Sequence, residues 1–349
     1  MQRATLLQRL AESHRAIEPD QDVHLGLFRP EDAQGIALAY YETYGDTFPL
    51  DHVYDPEEIV RRNATNDQYT VVARTPKGEI VGLFGLFRHA PNPGVYEAGQ
   101  LMVLKSYRKR DVGKMLSQSA LNSLPEQLGI PVVVCEAVSN HPVSQHLSLE
   151  EGMSFTGLEL ECMPSRDTVG KDGVSHNISL FLMFKVFDSA SCDVCLPEAY
   201  RAFCQGVYEE MALPRVALPP KRSTGATMAS RFFLQEIGLL RLTVTRVGRD
   251  FGECVGAAEA QAGERGLVQL CLNLGDAGVP EAVTALRDRG YFLGGVLPFW
   301  FGTDGLLMQK LRREPDWDAI HGAGPKAAAM QAQIRQDFEA ANRRGHAPV

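Results

Sequence analysis

The sequence has no excess of positive charge and no long apolar run. It holds 35 lysines and arginines against 43 aspartates and glutamates, a formal net charge of −8 at pH 7. Because nucleic acids and anionic membranes attract basic surfaces, this balance argues against both as partners. The longest apolar run, residues 80–87, is far shorter than the roughly 18–20 residues that a membrane-spanning helix needs. We therefore expect a buried strand there.

An export signal and a paired set of metal ligands are also missing. The apolar stretch in residues 1–15 is too short and too interrupted for a signal peptide. The seven cysteines are an odd number, so a reducing cytoplasm is the simplest compartment. Cys192 and Cys195 form a lone CxxC pair with no second ligand pair near it. This spacing predicts two unpaired thiols and no metal site.

The chain has the length and composition of a globular protein with two domains. Its 349 residues are 44% hydrophobic and 22% charged, so both halves can bury a core. Strand and helix patterns alternate along the chain and predict a mixed α/β fold. The predicted organisation is an N-terminal helical extension (1–20), a first domain (21–187), a connector (188–230), a second domain (231–312) and a C-terminal helical tail (313–349).

An internal repeat links the two predicted domains. Residues 152–157 read GMSFTG and residues 290–295 read GYFLGG. Each segment is followed by a proline, Pro164 or Pro298, and then by a similar closing strand. The shared order of helix, glycine, strand, proline and strand predicts a duplicated half-fold.

The segment 103–116 carries the clearest chemical signal. It joins a predicted strand to a helix, with Arg108, Lys109 and Arg110 in the turn and Gly113 in the first helical turn. Free amides at a helix start attract anions, and glycine lets a ligand approach the backbone. The turn therefore fits either a pyrophosphate site or a solvated basic turn before an ordinary helix.

This segment resembles the CoA-binding motif of the GNAT acyltransferases, whose usual form is V-x-P-x-x-R-x-x-G-x-G/A. Val103, Arg108 and Gly113 match the motif. Lys105 stands where proline is usual, and Asp111 stands where the first glycine is usual. A carboxylate near a pyrophosphate repels it unless it turns away or is paired.

The flanking elements extend the resemblance over roughly residues 20–187. A second GNAT hallmark, an asparagine after the fifth strand and then a helix ending in Gly-Phe, is similar to Asn140 followed by Gly152 and Met153. The resemblance implies a GNAT fold, with a mostly antiparallel, splayed sheet flanked by helices. It also implies that residues 231–312 are a second, partial GNAT-like domain.

The resemblance implies direct transfer of an acyl group from acyl-CoA, expected to be acetyl-CoA, to a primary amine of a small molecule or protein. The alternative is an inactive GNAT-like module that binds acyl-CoA or regulates a partner. The residues implied in binding acyl-CoA are Leu101, Met102, Val103, Arg108, Lys109, Arg110, Asp111, Val112, Gly113, Lys114 and Asn140.

Two positions are implied in catalysis. Glu97 lies on the strand before the motif, where GNAT enzymes often carry a general base; otherwise it is an exposed strand carboxylate. Strand alternation predicts that Glu97 shares a face with Gly99, Leu101 and Val103. Ser148 stands where the family's acidic tyrosine is usual. Since serine is a poor proton donor, His146, water, Tyr96 and Tyr107 are the alternative acids.

An aromatic and acidic segment lies where GNAT enzymes usually build the acceptor pocket. Such a segment can hold a cationic amine through charge and cation–π contacts. Packing of the aromatic rings on the sheet is the alternative explanation. The residues concerned are Tyr40, Tyr41, Tyr44, Asp46, Phe48, Asp51, His52, Tyr54 and Asp55.

Overall fold

The computed structural model describes residues 3–88, 90–108, 110–164, 177–264 and 266–345. The chain forms two compact units, one of residues 1–89 and 96–133, the other of residues 90–95 and 134–349. The charged, glycine-containing segment of residues 165–175 is predicted from the sequence to link two strands, and it lies outside the described residues. The domain boundaries predicted from the sequence stay a prediction.

The first unit is an antiparallel sheet covered by helices, with strand order β1-β2-β3-β4. A π-helical segment, Ser119–Ser123, joins its last two helices. Its helices and strands are α1 (Arg3–Ser13), β1 (His24–Leu27), α2 (Ala33–Tyr44), α3 (Pro56–Asn63), β2 (Gln68–Arg74), β3 (Ile80–Arg88), β4 (Val95–Val103), α4 (Val112–Gln118) and α5 (Leu124–Leu128).

Local sequence explains several of these elements. The apolar run predicted as a buried strand forms β3, which is buried over most of its length. At the start of α3, the Asp55 side chain accepts a hydrogen bond from the amide of Glu57, and Pro56 occupies the first turn. A buried ion pair between Arg74 and Asp32 ties β2 to the start of α2. The meander therefore holds α2 and α3 over one face of the sheet.

The second unit contains the remaining elements, with strand order β5-β7-β6-β13-β14-β12-β11-β10 and a separate pair, β8-β9. They are β5 (Val132–Val138), α6 (Val143–Glu150), β6 (Ser154–Met163), β7 (Ile178–Val186), β8 (Cys192–Val194), α7 (Arg201–Glu210), β9 (Arg215–Ala217), β10 (Met228–Leu234), β11 (Leu239–Arg246), α8 (Phe251–Ala262), β12 (Leu267–Asn273), α9 (Val279–Asp288), β13 (Phe292–Leu297), β14 (Gly305–Lys310) and α10 (Gly324–Gly345).

One topology occurs twice within the second unit. In the first instance the chain runs β5, α6, β6, β7 and the strands lie in the order β5-β7-β6. In the second it runs β12, α9, β13, β14 and the strands lie in the order β12-β14-β13. The similar sequence segments, residues 152–157 and 290–295, therefore occupy matching positions in the two arrangements.

The two arrangements meet at β6 and β13, which pair antiparallel at Gly157 and Gly295. A Cβ atom on Gly157 would lie 2.4 Å from the carbonyl oxygen of Gly294 and 2.7 Å from the Cα of Gly295. Since real Cβ atoms do not come so close to backbone, only glycine fits this contact.

Buried polar side chains fasten the same junction. The Gln309 amide donates to the carbonyls of Leu158 and Leu293, and its oxygen accepts from the amide of Leu160. Arg241 forms a 2.8 Å ion pair with Glu159, whose side chain is 3% exposed. These bonds satisfy groups that would be costly to bury alone.

The predicted mixed α/β class, with mostly antiparallel strands flanked by helices, is confirmed. Apolar residues at helical spacing predict a helix over residues 111–124; in the structure the helical segment begins at Val112 and ends with α5 at Leu128. Strand β10 was not predicted, because its residues are almost all exposed and show no alternation of burial. Within the described ranges no helix is both long and apolar enough to cross a membrane.

Candidate functional site

A β-bulge in β4 controls which side chains face the candidate site. Gly99 lies opposite Gly85, whereas Met102 lies opposite Leu83, so β4 has one residue more than β3 here. Gln100, inside the bulge, has a φ of 62°. Register across the strands therefore places Glu97, Gly99 and Met102 on one face, since residues directly opposite each other share a face.

Leu101 and Val103 consequently lie on the other face from Glu97. The prediction that Glu97, Gly99, Leu101 and Val103 share a face is wrong, because alternation does not survive the bulge. Val103 lies opposite Gly82, and a Cβ atom on Gly82 would contact Leu116 and Val112. The Val103 face thus packs against α4.

Glu97 is half-buried and lies opposite Phe87 on β3. A Cβ atom on Gly99 would come within 3.4 Å of a Glu97 carboxylate oxygen, so glycine leaves space beside the carboxylate. The space next to Glu97 is about the size of one methyl group and lies on its own face of the sheet.

A small cavity of about 20 Å³ lies over this face, beneath α2 and α3. It has room for a water molecule. Burial, followed by the charge of Arg62, lowers the pKa of His52 in its wall, which favours the neutral imidazole. The Tyr40 hydroxyl donates to Gln100, and burial raises the pKa of Tyr40. The other polar wall residues are Asn63, Gln68 and Thr70.

The basic turn connects β4 to α4 in the first unit. Arg108 is exposed, and its Nε donates to the carbonyl of Val103 at 3.1 Å. Arg110 is half-buried and donates to the carbonyl of Gln21 at 2.9 Å. Arg110 therefore anchors the turn to the segment before β1. Lys109 lies outside the described residues.

Asp111, which stands where the motif has glycine, adopts a backbone conformation that glycine favours. Its φ and ψ are 54° and 9°, in the left-handed region. Asp and Asn are the non-glycine residues that most readily tolerate this region. The turn therefore keeps the shape of a glycine turn, and the exposed carboxylate is the chemical difference. Two residues on, a Cβ atom on Gly113 would meet only Val103, at 3.8 Å.

An aromatic cluster lies between α2 and the loop of residues 46–54, hereafter the 46–54 loop. The ring of Phe48 is 4.9 Å from that of Tyr40 and 5.0 Å from that of Tyr44. Tyr54 is fully buried and its hydroxyl accepts a hydrogen bond from the Phe48 amide. Packing of these rings is therefore part of their role.

Arg3 of α1 contacts the 46–54 loop, which the sequence analysis did not foresee. Its guanidinium lies 5.0 Å from the Tyr54 ring centroid and pairs with Asp51 at 2.5 Å. It also donates to the carbonyls of Asp46 and Phe48. The local signal is an arginine among the first described residues of a helix whose first described turn contains no acidic residue.

Two of the alternative proton donors, Tyr96 and Tyr107, are already engaged in hydrogen bonds. The Tyr107 hydroxyl donates to the carbonyl of Glu18 at 2.6 Å. The Tyr96 hydroxyl donates to the carbonyl of Asn66 and accepts from Arg88. Burial raises the pKa of Tyr96, which makes this hydroxyl a weaker acid.

Asn140, His146 and Ser148 belong to the second unit. Asn140 and His146 are exposed, while Ser148 is 2% exposed on α6. Asn140 lines a small cavity together with Glu161 and Ser179. A serine buried to this degree has little contact with solvent.

The turn between β11 and α8 is closed by the chain itself. The Asp250 carboxylate accepts the Thr227 amide at 2.7 Å, and this bond lowers the pKa of Asp250. A Cβ atom on Gly248 would lie 2.1 Å from the Thr227 nitrogen. Residues of the segment before β10 therefore occupy the space at the start of α8.

All seven cysteines are free thiols. Burial, with the nearby charge of Asp304, raises the pKa of Cys192 to about 11. Burial also raises the pKa of Cys195. Reactive cysteines have lowered pKa values, so this pair has the character of inert thiols. In the ranges that the structure covers, no group of three or more His, Cys, Asp or Glu side chains is arranged to hold a metal.

Comparison with protein families matches residues 36–152 to the family described as Acetyltransferase (GNAT) family. The predicted resemblance is thereby confirmed. No curated protein matches the chain significantly.

Solved structures that resemble the chain include a spermidine/spermine N-acetyltransferase of Vibrio cholerae, with 16% identity, a TM-score of 0.38 and coverage of 47% of this chain and 92% of that one. A GNAT acetyltransferase of Streptococcus pneumoniae has 18% identity and a TM-score of 0.39, covering 48% of this chain and 100% of the other. A ribosomal-protein-S5-alanine acetyltransferase of Vibrio fischeri has 12% identity and a TM-score of 0.40, covering 50% and 98%.

Proposed function

Because residues 36–152 match the GNAT acetyltransferase family, we propose that this chain transfers an acyl group, expected to be acetyl, from acyl-CoA to a primary amine. The observation that carries the proposal is the turn at Asp111. Its left-handed backbone is one that glycine favours. The residue that departs from the motif thus keeps a conformation open to the motif's own residue.

In this proposal the turn and the strand before it bind the CoA moiety. Backbone groups of residues 101–103 pair with the pantetheine arm, and the amides of residues 111–114 contact the pyrophosphate. Arg108 and Lys114, both exposed, add charge-assisted hydrogen bonds. Lys109 is proposed for the same site, while Arg110 chiefly holds the turn in place through Gln21.

Glu97 is the proposed general base. A lysine-like amine titrates near ~10.4 and arrives as ammonium at neutral pH, so Glu97 first accepts a proton from it. The neutral nitrogen then attacks the thioester carbonyl carbon, the carbon–sulfur bond breaks, and the nitrogen of the new amide gives up a second proton. A water molecule passes this proton to the thiolate, because Ser148, which the resemblance implies as the acid, is a weak proton donor. Glu97 returns its own proton to solvent.

Calorimetric titration with acetyl-CoA tests the binding half of the proposal. Arg108→Ala removes a hydrogen-bonding cation, and bonds to charged groups contribute about 1.5–3 kcal/mol. We expect affinity to fall by roughly 10- to 100-fold, because 1.4 kcal/mol corresponds to a factor of ten. Arg61→Ala, a similar change on the exposed side of α3, serves as the matched control. Equal affinity in both variants would refute the placement.

Thiol release from acetyl-CoA over a panel of primary amines tests the catalytic half. Amine-dependent release that saturates with the amine supports transfer. Binding of acetyl-CoA without release for any amine would instead support the second candidate.

The second candidate is an inactive acyl-CoA-binding or regulatory module. The specific observation in its favour concerns proton donors. Serine occupies the position of the family's tyrosine, and the hydroxyls of Tyr96 and Tyr107 are both committed to backbone carbonyls. In this candidate the turn binds acyl-CoA, and neither tyrosine is available to protonate a leaving thiolate.

A further inference from the structure

Strand β10 forms an exposed edge of the sheet in the second unit. It ends the strand order, and in the part of the chain that the structure describes no strand pairs with the side of β10 that faces away from β11. Six of its seven residues are exposed, with exposed fractions of 56% for Phe232 and 37% for Phe233. Since unpaired backbone groups and apolar side chains on an edge strand attract another strand, this edge has the character of an interface.

The sequence of β10 contains few of the features that protect an edge strand from association. Proteins usually guard such an edge with charges, prolines, bulges or a short strand. Among residues 228–234, Arg231 alone is charged and none is proline. The irregularity in its pairing with β11 lies at the beginning of the strand, between Met228 and Ala229. Residues 229–234 therefore present a regular edge.

The strand with the same place in the first unit shows what such an edge accepts. β3 forms an antiparallel hairpin with β4, which leads into α4, just as β10 does with β11, which leads into α8. The other side of β3 pairs antiparallel with β2, and β3 is buried over most of its length. Among the described residues, nothing takes the corresponding place beside β10. An added antiparallel strand therefore fits there.

Symmetry limits how a second copy of β10 can pair with this edge. A two-fold axis perpendicular to the sheet sets two copies antiparallel, with one residue opposite its own copy. An axis at Arg231 would oppose two like charges, which destabilises a strand pair. An axis at Ser230 would include the irregular end of the strand. An axis at Phe233 would place Arg231 opposite Gln235, which lies beyond β10.

An axis at Phe232 gives compatible pairs throughout residues 230–234. Phe232 then lies opposite its own copy, and cross-strand aromatic pairs stabilise a sheet. On the other face, Arg231 lies opposite Phe233 of the second copy, where a guanidinium and a ring attract each other. The two-fold axis forms this contact twice. The sequence of β10 is therefore complementary to itself in this register.

We propose that β10 is a self-association surface, and that two copies of this chain pair antiparallel about Phe232 to form a dimer with a continuous sheet. The inference does not depend on the proposed acyl transfer. Stable interfaces bury about 1,200 Å² or more, and a strand of seven residues is a small contact. We therefore expect a dimer that dissociates on dilution.

Sedimentation equilibrium of the full chain over a range of concentrations tests the association. Phe232→Arg places like charges opposite each other, and we expect the association constant to fall by about tenfold or more, a loss of about 1.4 kcal/mol. Phe232→Glu should do the same, whereas an equimolar mixture of the two variants should regain dimers, because opposite charges then face each other. Val143→Arg, at an apolar side chain of α6 that is 61% exposed, should associate as the wild type does.

Disulfide cross-linking tests the register. Directly opposite Cα atoms of an antiparallel pair are about 4.5–5.5 Å apart, a separation that a disulfide spans. Phe232→Cys should therefore give a covalent dimer under mild oxidation. Phe233→Cys is the matched control, because its copy lies diagonally across, about 7–8 Å away, which is too far for a disulfide without backbone movement. This variant and the wild type should stay without a cross-link.

Three results would overturn the proposal. They are a wild type that stays monomeric at every concentration, a dimer that survives Phe232→Arg, and cross-linking through position 233 in place of position 232. The mixing experiment separates a lost interface from a lost fold, because two unfolded variants would not regain dimers.

Discussion

Asp111 combines a favourable backbone with an unfavourable charge for the proposed ligand. Asp111→Asn keeps a residue that tolerates left-handed backbone and removes the carboxylate. A pair of unit charges 4 Å apart in water interacts by about 1 kcal/mol. We therefore expect calorimetry to show roughly fivefold tighter acetyl-CoA binding for the Asn variant.

Asp111→Gly should give the same gain in affinity, whereas Asp111→Ala should also unfold more easily, by roughly 1 kcal/mol, because alanine is strained in this region. Weaker acetyl-CoA binding in the Asn variant would mean that the carboxylate contributes a contact.

Glu97 provides the residue-scale test of catalysis. Glu97→Gln removes the base but keeps the size of the side chain, and general-base catalysis typically contributes about 10²–10⁴-fold. We expect turnover on a verified acceptor to fall by that factor with acetyl-CoA affinity nearly unchanged. Glu57→Gln, on the exposed side of α3, is the control. Full activity in Glu97→Gln would transfer the role of base to water, His52 or His146.

At the scale of the element, the closest backbone approach lies between β6 and β13. Gly157→Ala places a methyl group against the backbone of Gly294 and Gly295, which cannot rotate away. Overpacking of this kind costs about 1–3 kcal/mol, and chemical denaturation should show that loss of stability. Gly206→Ala in α7, where a Cβ atom meets nothing within 4 Å, should instead be neutral or stabilising by up to about 1 kcal/mol.

Periodicity predicted the long elements well and failed where a single residue interrupts it. The sequence predicts a helix over residues 251–263, and the structure forms α8 over Phe251–Ala262. Glu97 and Val103 were wrongly predicted to share a face. Strict alternation along the strand was assumed, and the sequence does not reveal the bulge at Gln100. Strand β10 was missed because its side chains are almost all exposed and give no apolar pattern. Backbone pairing with β11 forms this strand.

The candidate site was only partly accessible from sequence for a similar reason. The basic turn is a local feature, so its residues follow from a motif of consecutive positions. Arg3 and Asp51 are 48 residues apart, and no local pattern predicts that they meet. The engagement of Tyr96 with Asn66 likewise depends on how the loop before β2 lies against the sheet.

At the scale of the second unit, the repeated topology was predicted from short similar segments in the sequence. The segments 152–157 and 290–295 occupy β6 and β13 with their preceding turns, and these strands pair with each other. The extent of the second domain as a separate folding unit stays a prediction. The observation that supports it is the matching strand order on the two sides of this pair.

The pairing of β6 with β13 also decides how the chain can be shortened. A protein ending at residue 230 would lose β13 and the side chain of Gln309, which now bonds to the β6 backbone at Leu158 and Leu160. An uncovered, largely apolar strand edge is a template for association between molecules. We expect light scattering to show concentration-dependent aggregates of the shortened protein. A charged substitution at the buried Leu158 should unfold the shortened protein and increase its aggregation. A monomeric, soluble fragment would show that β6 needs no cover.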